Sequence, residues 1–288
     1  MTYRALFLCS LFVLVLPAAS VRRYQVTGLV LTVDAPHATV LVSHDPIPGY
    51  MDAMTMPYRV RNPRELDNLK PGQKIDFTLV VGKTSSYITN VQVREYNSME
   101  RDPAQTRRLS ILDEAMRSKS PSTLSNGQTV PDFSLVDQAN HPVTLTEFRG
   151  KVVAITFIYT RCPLPDYCMR LTNNLATLQK RFSNRMGRDL VLLSISFDPD
   201  HDQPDVLAKY AAQWKANVEG WHFLTGKLGD VKEVCGMFGM NFWPDEGLMT
   251  HSLHTAVIDR EGKLAANIEG NQYTAVQLGD LVEATLKQ

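Results

Sequence analysis

Cys162 and Cys168 stand six positions apart, around two prolines, in the stretch TRCPLPDYCM. Two sulfurs this close can form a redox pair, a pair of metal ligands or a structural staple. A staple more often joins distant segments, because closing a long loop constrains the unfolded chain more. A Cys-x-x-Cys pair makes a tight redox ring. Five intervening residues still let a disulfide close, and they also let two thiolates splay around an ion. Two thiolates and an imidazole suit a soft ion such as Cu(I), whereas a closed structural zinc site takes four ligands. A third ligand must come from elsewhere, and MTHSLHTAVID offers His251 and His254. With a strand over 255–259, His251 lies in the loop before it and His254 at its edge. Spacing alone does not choose between them.

A second group of soft donors lies in HDPIPGYMDAMTMPY, residues 44–58. Met54 and Met56 are two apart, so in a strand they share a face. Pro46, Pro48 and Gly49 make a loop that can return His44 towards them, with Met51 and Tyr50 nearby. Methionine is commonly core filler. Thioethers with an imidazole, however, suit Cu(I) or Ag(I) and do little for hard ions. Thioethers carry no proton, so such a site should persist at mildly acid pH better than a thiolate site.

These residues sit in a chain of 288 residues, 44% hydrophobic and 21% charged, with zero formal net charge. That balance gives no electrostatic support to a nucleic-acid partner. Four cysteines are too few for a disulfide scaffold. Arg4, the apolar run ALFLCSLFVLVL and the small residues after Pro17 predict a secretory signal over residues 1–20. The competing reading is a retained N-terminal anchor, although the run is short for a membrane span. Cys9 lies inside it. The expected location is the periplasm or cell envelope, an oxidising compartment, with membrane contact only through an uncleaved anchor.

Residues 21–95 read as all-β: YQVTGLVLTV, ATVLV, KIDFTLVV after the Pro71-Gly72 turn, and SYITNVQVREY, a set of short strands that predicts a small barrel or sandwich. Residues 96–128 are polar and read as a linker, with a helical piece around 109–116. Residues 129–288 alternate strand and helix. KVVAITFIY is a continuous apolar run, as in a buried parallel strand. Leu171, Leu175, Leu178 and Phe182 then fall at helical spacing. LVLLSISF, a helix over 206–214, a third strand, a turn at Arg260-Glu261-Gly262 and a helix over 275–287 complete a thioredoxin-like order. Cys162 would then lie where a helix begins, and the unpaired N–H groups there stabilise a thiolate.

Residues 129–288 resemble the Sco/SenC family of thioredoxin-fold copper proteins. The resemblance rests on VPDFSLVDQANHPVTLTEFRGKVVAITFIYTRCP, SISFDPDHDQPDVLAKYA, WHFLTG and HSLHTAVIDREGKL. It implies copper, Cu(I) with Cu(II) also allowed, bound by Cys162, Cys168 and His251. By the family's register His251, and not His254, is the ligand. It also implies delivery to the copper-bearing subunit of a cytochrome c oxidase, with a thiol reductant as a further partner. The family keeps three residues between its cysteines and a proline after the second; here there are five, and Met169 follows Cys168.

Residues 24–95 resemble the CusF-like periplasmic copper-binding proteins, small five-stranded OB-type barrels. The His-Asp-Pro-Ile segment and Met54-Thr55-Met56 carry the likeness, which implies His44, Met54 and Met56 as ligands. The tryptophan that caps the metal in that family is replaced by Met51, a candidate third thioether; Tyr50 is a weaker stand-in for the aromatic cap.

The reading is therefore a copper metallochaperone with two soft-metal sites, the linker raising the effective concentration of one for the other. Its rivals are a thiol–disulfide oxidoreductase, in which Cys162 and Cys168 are the redox pair, and a copper storage or resistance protein. A peroxidase on the same fold ranks lower, for want of the usual residues before its cysteine. Asp198, Asp200, His201 and Asp202 read as a loop into a helix rather than a hard-metal site. Cys235, His141 and His222 read as structural and His37 as a turn residue.

Overall fold

The computed structural model describes residues 21–96, 123–245 and 247–288. The signal sequence and the helical piece expected around 109–116 lie outside the described residues.

The first unit is a five-stranded antiparallel sheet in the order β3-β2-β1-β4-β5. Its strands are β1 (Arg22–Asp34), β2 (Thr39–His44), β3 (Met54–Arg59), β4 (Lys74–Val81) and β5 (Ser86–Val93). The edges of the sheet meet just past β3, where Val60 forms a parallel bridge to Ile88 and Arg61 donates to the Ile88 carbonyl at 3.0 Å. The sheet thus curls into a small, partly open barrel around Val26, Val30, Val42, Ile47, Tyr58 and Phe77.

The long strand β1 has two apolar faces. Val26 and Val30 point into the barrel core, while Leu29 and Leu31 belong to the larger core of the second unit. Period-two alternation makes this possible, since neighbouring side chains leave a strand on opposite faces. Gly28 is paired with His44, and β2 packs close against it. A Cβ there would stand 2.4 Å from Val42 and 2.9 Å from the Ser43 carbonyl.

The second unit is built on the sheet β10-β9-β8-β13-β14. Strands β8 (Val152–Ile158), β9 (Leu190–Ser196) and β10 (Trp221–Leu224) are parallel; β13 (His254–Ile258) and β14 (Leu264–Glu269) complete it antiparallel. Every residue of β8 and β9 is buried, which is why both read as continuous apolar runs. The helices are α1 (Arg170–Arg181), α2 (Pro204–Gln213), α3 (Leu228–Met237) and α4 (Ala275–Leu286). Two hairpins are added, β6 (Ser134–Val136) with β7 (Pro142–Thr144), and β11 (Phe242–Asp245) with β12 (Leu248–His251).

Residues 123–128, read from sequence as the end of a linker, are tied to the second unit. Leu124 donates to the Met237 carbonyl and Gly127 to that of Leu264, at 2.9 and 2.7 Å.

Candidate metal centres

Cys162 does not start a helix. Strand β8 ends at Ile158 and α1 begins at Arg170, so the cysteine sits in an open loop. The residue at the helix entrance is Cys168, within an irregular π-turn over Pro165–Met169, where Tyr167 leaves helical geometry. The five-residue spacing shows here as an extra turn ahead of the helix. Cys162 is half-buried, Cys168 buried, and both are free thiols, as is Cys235 in the core.

The two sulfurs are partners. The thiol of Cys168 donates to Cys162 and pulls its pKa down to about 6, against burial, with backbone amides of Leu164 and Cys168 and the Tyr159 hydroxyl helping. The same bond and its own burial push Cys168 well above the ordinary thiol range. Neutral pH therefore finds one thiolate and one thiol. The expected direction for Cys162 stands, but its main cause is the neighbouring thiol rather than a helix end.

His251 lies at the end of β12, not in a loop; the sequence reading missed this hairpin. Gly247, in the left-handed region at φ 82, serves its turn. The imidazole packs on Phe197 at 4.7 Å and edge-on to Tyr159 at 5.9 Å between ring centroids. Its Nδ1 donates to the Ser252 carbonyl at 2.7 Å, which leaves Nε2 with its lone pair. Burial pushes the ring's pKa down to about 4, so it is neutral. Tyr159 therefore touches both halves of the expected triad: its hydroxyl bonds the Cys162 sulfur and the Met249 backbone. Among the described residues, though, no three His, Cys, Asp or Glu side chains are gathered closely enough to hold a metal ion. The structure pairs Cys162 with Cys168 and leaves His251 one aromatic ring removed. His254, in contrast, opens β13 and bonds Asn267.

In the first unit His44 ends β2 and is buried. Its Nδ1 donates to the Asp45 carbonyl at 2.7 Å. Among the described residues its Nε2 is buried without a hydrogen-bond partner, an arrangement that costs stability unless something uses the lone pair. Met54 stands directly across the strand pair from His44, and Met56 across from Val42. Residues two apart share a face, so both thioethers lie on the face of His44. Met54 is half exposed, at the rim; Met56 and Met51 border the barrel core. Met51 is bridged to Ile47. Tyr50 is not free to cap this face: its ring stacks on Tyr24 at 4.5 Å, with Arg22 over it.

The acidic loop after β9 is a positioning device. Asp202, fully buried, accepts from the Thr160 amide at 3.0 Å and from the Thr160 and Ser196 hydroxyls, fixing the chain two residues before Cys162. Asp198 is taken by Arg161 and His201. His222 stacks near Phe148, and Cys235 is enclosed by the core. The sequence reading missed Tyr159 and Phe197 as the walls around His251. Both close apolar runs that end at the loop edge of the sheet, where ligands gather in parallel α/β folds.

Residues 121–286 match the model of the SCO1/SenC family, and residues 23–93 match that of the copper binding periplasmic protein CusF. The Schizosaccharomyces pombe protein sco1 is 29% identical over 158 residues, 52% of this chain and 58% of that protein. A SCO1 protein homolog of Bacillus subtilis is 33% identical over 97 residues, 34% of this chain and 49% of its own length. The chain thus spans about half the length of these curated relatives. Among solved structures, a SCO1/SenC family lipoprotein from Bacillus anthracis superposes with a TM-score of 0.50 at 25% identity, over 57% of this chain and 99% of that one.

Proposed function

The chain belongs to the SCO1/SenC family through residues 121–286, and on that premise we propose that it is a copper metallochaperone of the cell envelope with two cargo sites. Copper is the cargo that both family likenesses supply, and the donor sets fit it. Cys162, Cys168 and His251 would hold one Cu(I), and His44, Met54 and Met56, with Met51 beside them, a second.

The observation that carries the reading is repeated in the two units. Each presents an imidazole whose Nδ1–H is spent on the next residue's carbonyl at 2.7 Å, so that Nε2 keeps its lone pair for a soft ion. For His44 that nitrogen is buried without a partner among the described residues. In the second unit Tyr159 touches both His251 and Cys162, and the β11–β12 hairpin is the element that would bring His251 in. Delivery to the copper-bearing subunit of a cytochrome c oxidase is the role this family membership favours, with a thiol reductant keeping Cys162 and Cys168 open.

Cu(I) titration of the reduced protein, read against a chromophoric chelator, tests this. Two ions per chain, one lost in His251→Ala and the other in His44→Ala, with sulfur and nitrogen neighbours in X-ray absorption, is the expected result. Binding that ignores both substitutions would overturn it.

One observation favours a second reading. A thiolate at neutral pH bonded to a neighbouring thiol is the arrangement of a thiol–disulfide oxidoreductase. That activity would be lost in Cys162→Ser and kept in His251→Ala.

A further inference from the structure

The two units meet along α4, and the contact is made next to His44. The helix opens with a capping box: the Thr274 hydroxyl accepts from the Gln277 amide, and the Gln277 side chain accepts from the Thr274 amide. The same Gln277 side chain crosses to the barrel. Its Nε2 donates to the Ser43 carbonyl at 3.1 Å and to the Asp45 carboxylate at 2.9 Å. Both acceptors are immediate neighbours of His44.

One turn on, Asp280 reaches the same strands. Its Oδ2 accepts from the Ser43 hydroxyl at 2.7 Å and from the Thr55 hydroxyl at 2.8 Å. Ser43 and Thr55 are a cross-strand pair, one step before and after His44 and Met54, which are themselves paired. Successive residues of a strand face opposite ways. The carboxylate therefore ties β2 to β3 from the back, while the imidazole and the thioethers project from the front. Its other oxygen takes Arg181 at 2.8 Å. Arg181 is the last residue of α1, the helix that starts two residues after Cys168.

We propose that Asp280 is a positioning residue for the first unit's metal site: supplied by the second unit, it locks the spacing of His44 against Met54 and Met56 before the ion arrives. The inference rests on the reading of those residues as ligands. A ligand set held in place beforehand loses less ordering entropy on binding, and partners behind the ligands typically carry 10- to 100-fold of metal affinity. Through Arg181, the node also joins the site to the helix that follows the cysteine loop. The two sites are then fixed on one frame, not swung together on a tether.

The test uses the full chain with Cys162→Ser and Cys168→Ser, so that only the barrel site is read. Ag(I) is the redox-silent probe; its affinity is measured by chelator competition and its coordination by the methyl resonances of Met54 and Met56. Asp280→Ala is expected to weaken Ag(I) about tenfold and to broaden or split those resonances in the metal-free protein. Asp280→Asn, which keeps an acceptor for both hydroxyls, should recover most of the affinity. A Ser43→Ala, Thr55→Val pair removes the same bonds from the barrel side and should match Asp280→Ala, giving a second route if that variant folds poorly. Unchanged affinity and unchanged resonances in folded Asp280→Ala or in the paired variant would overturn the inference. Unchanged affinity in His44→Ala would instead overturn the ligand assignment beneath it.

Discussion

His44 and His251 are treated alike by the backbone and differently by everything around them. Each donates Nδ1–H to the carbonyl of the following residue at 2.7 Å. His44 faces thioethers across one antiparallel pair, so its candidate partners come from β2, β3 and the loop between them. His251 is brought by a separate hairpin towards sulfurs some 80 residues earlier in the sequence, and Tyr159 stands in contact with both. The first set is local and laid out in advance. The second would have to be assembled across the fold, and its cysteines carry titrating protons. Pre-organisation and proton coupling are thus divided between the two units.

The largest expected difference is in pH dependence. Cys162 titrates at about 6 and Cys168 is held protonated well above neutrality. Cu(I) binding there displaces about one proton at pH 7 and two below pH 6. Affinity should fall roughly twentyfold from pH 7 to 6 and roughly fiftyfold more to pH 5. His251, titrating near 4, stays neutral throughout and adds nothing. In the barrel the thioethers carry no proton to displace, so a smaller fall is expected. Chelator competition on single-site variants across this range measures both; equal slopes would erase the contrast.

Removing the imidazole from the assembled site comes next. His251→Ala should lower Cu(I) affinity at the cysteines by about a hundredfold, the upper end of what supporting residues alone can carry, and leave the barrel unchanged. Met54→Ala should cost the barrel about tenfold, since Met56 and Met51 remain near, and leave the cysteine site alone. Cross-effects in either direction would mean that the sites are energetically joined. The smallest effect is the displacement of a midpoint. Alkylation of metal-free Cys162 by iodoacetamide should be half-maximal near pH 6 and climb back towards the ordinary thiol range in Cys168→Ala. Cys235, enclosed by the core with its thiol pushed up by burial, should react only after unfolding.

Much of this was legible in the sequence because the signals were local. β8 and β9 announce themselves as apolar runs, α1 by the spacing of Leu171, Leu175 and Leu178, and the shared face of Met54 and Met56 by their strand spacing. The β11–β12 hairpin was not legible: its strands have four residues each, too few to show a period. The irregular turn before Cys168 hid which cysteine enters the helix. The Asp280 contact joins positions more than 200 residues apart, and nothing in Ser43 or Thr55 points to a partner at that distance. One clue was present and unused. Gly28-Leu29-Val30-Leu31 breaks strand alternation, and such a run means that both faces are covered.

That run has a practical consequence. Severing the chain between the units would strip Leu29 and Leu31 from the larger hydrophobic interior and bare an oily seam on both fragments. Each half made alone would tend to clump or refold, so its metal binding would say little about the intact protein. Dissection is better done by point substitution than by the scissors.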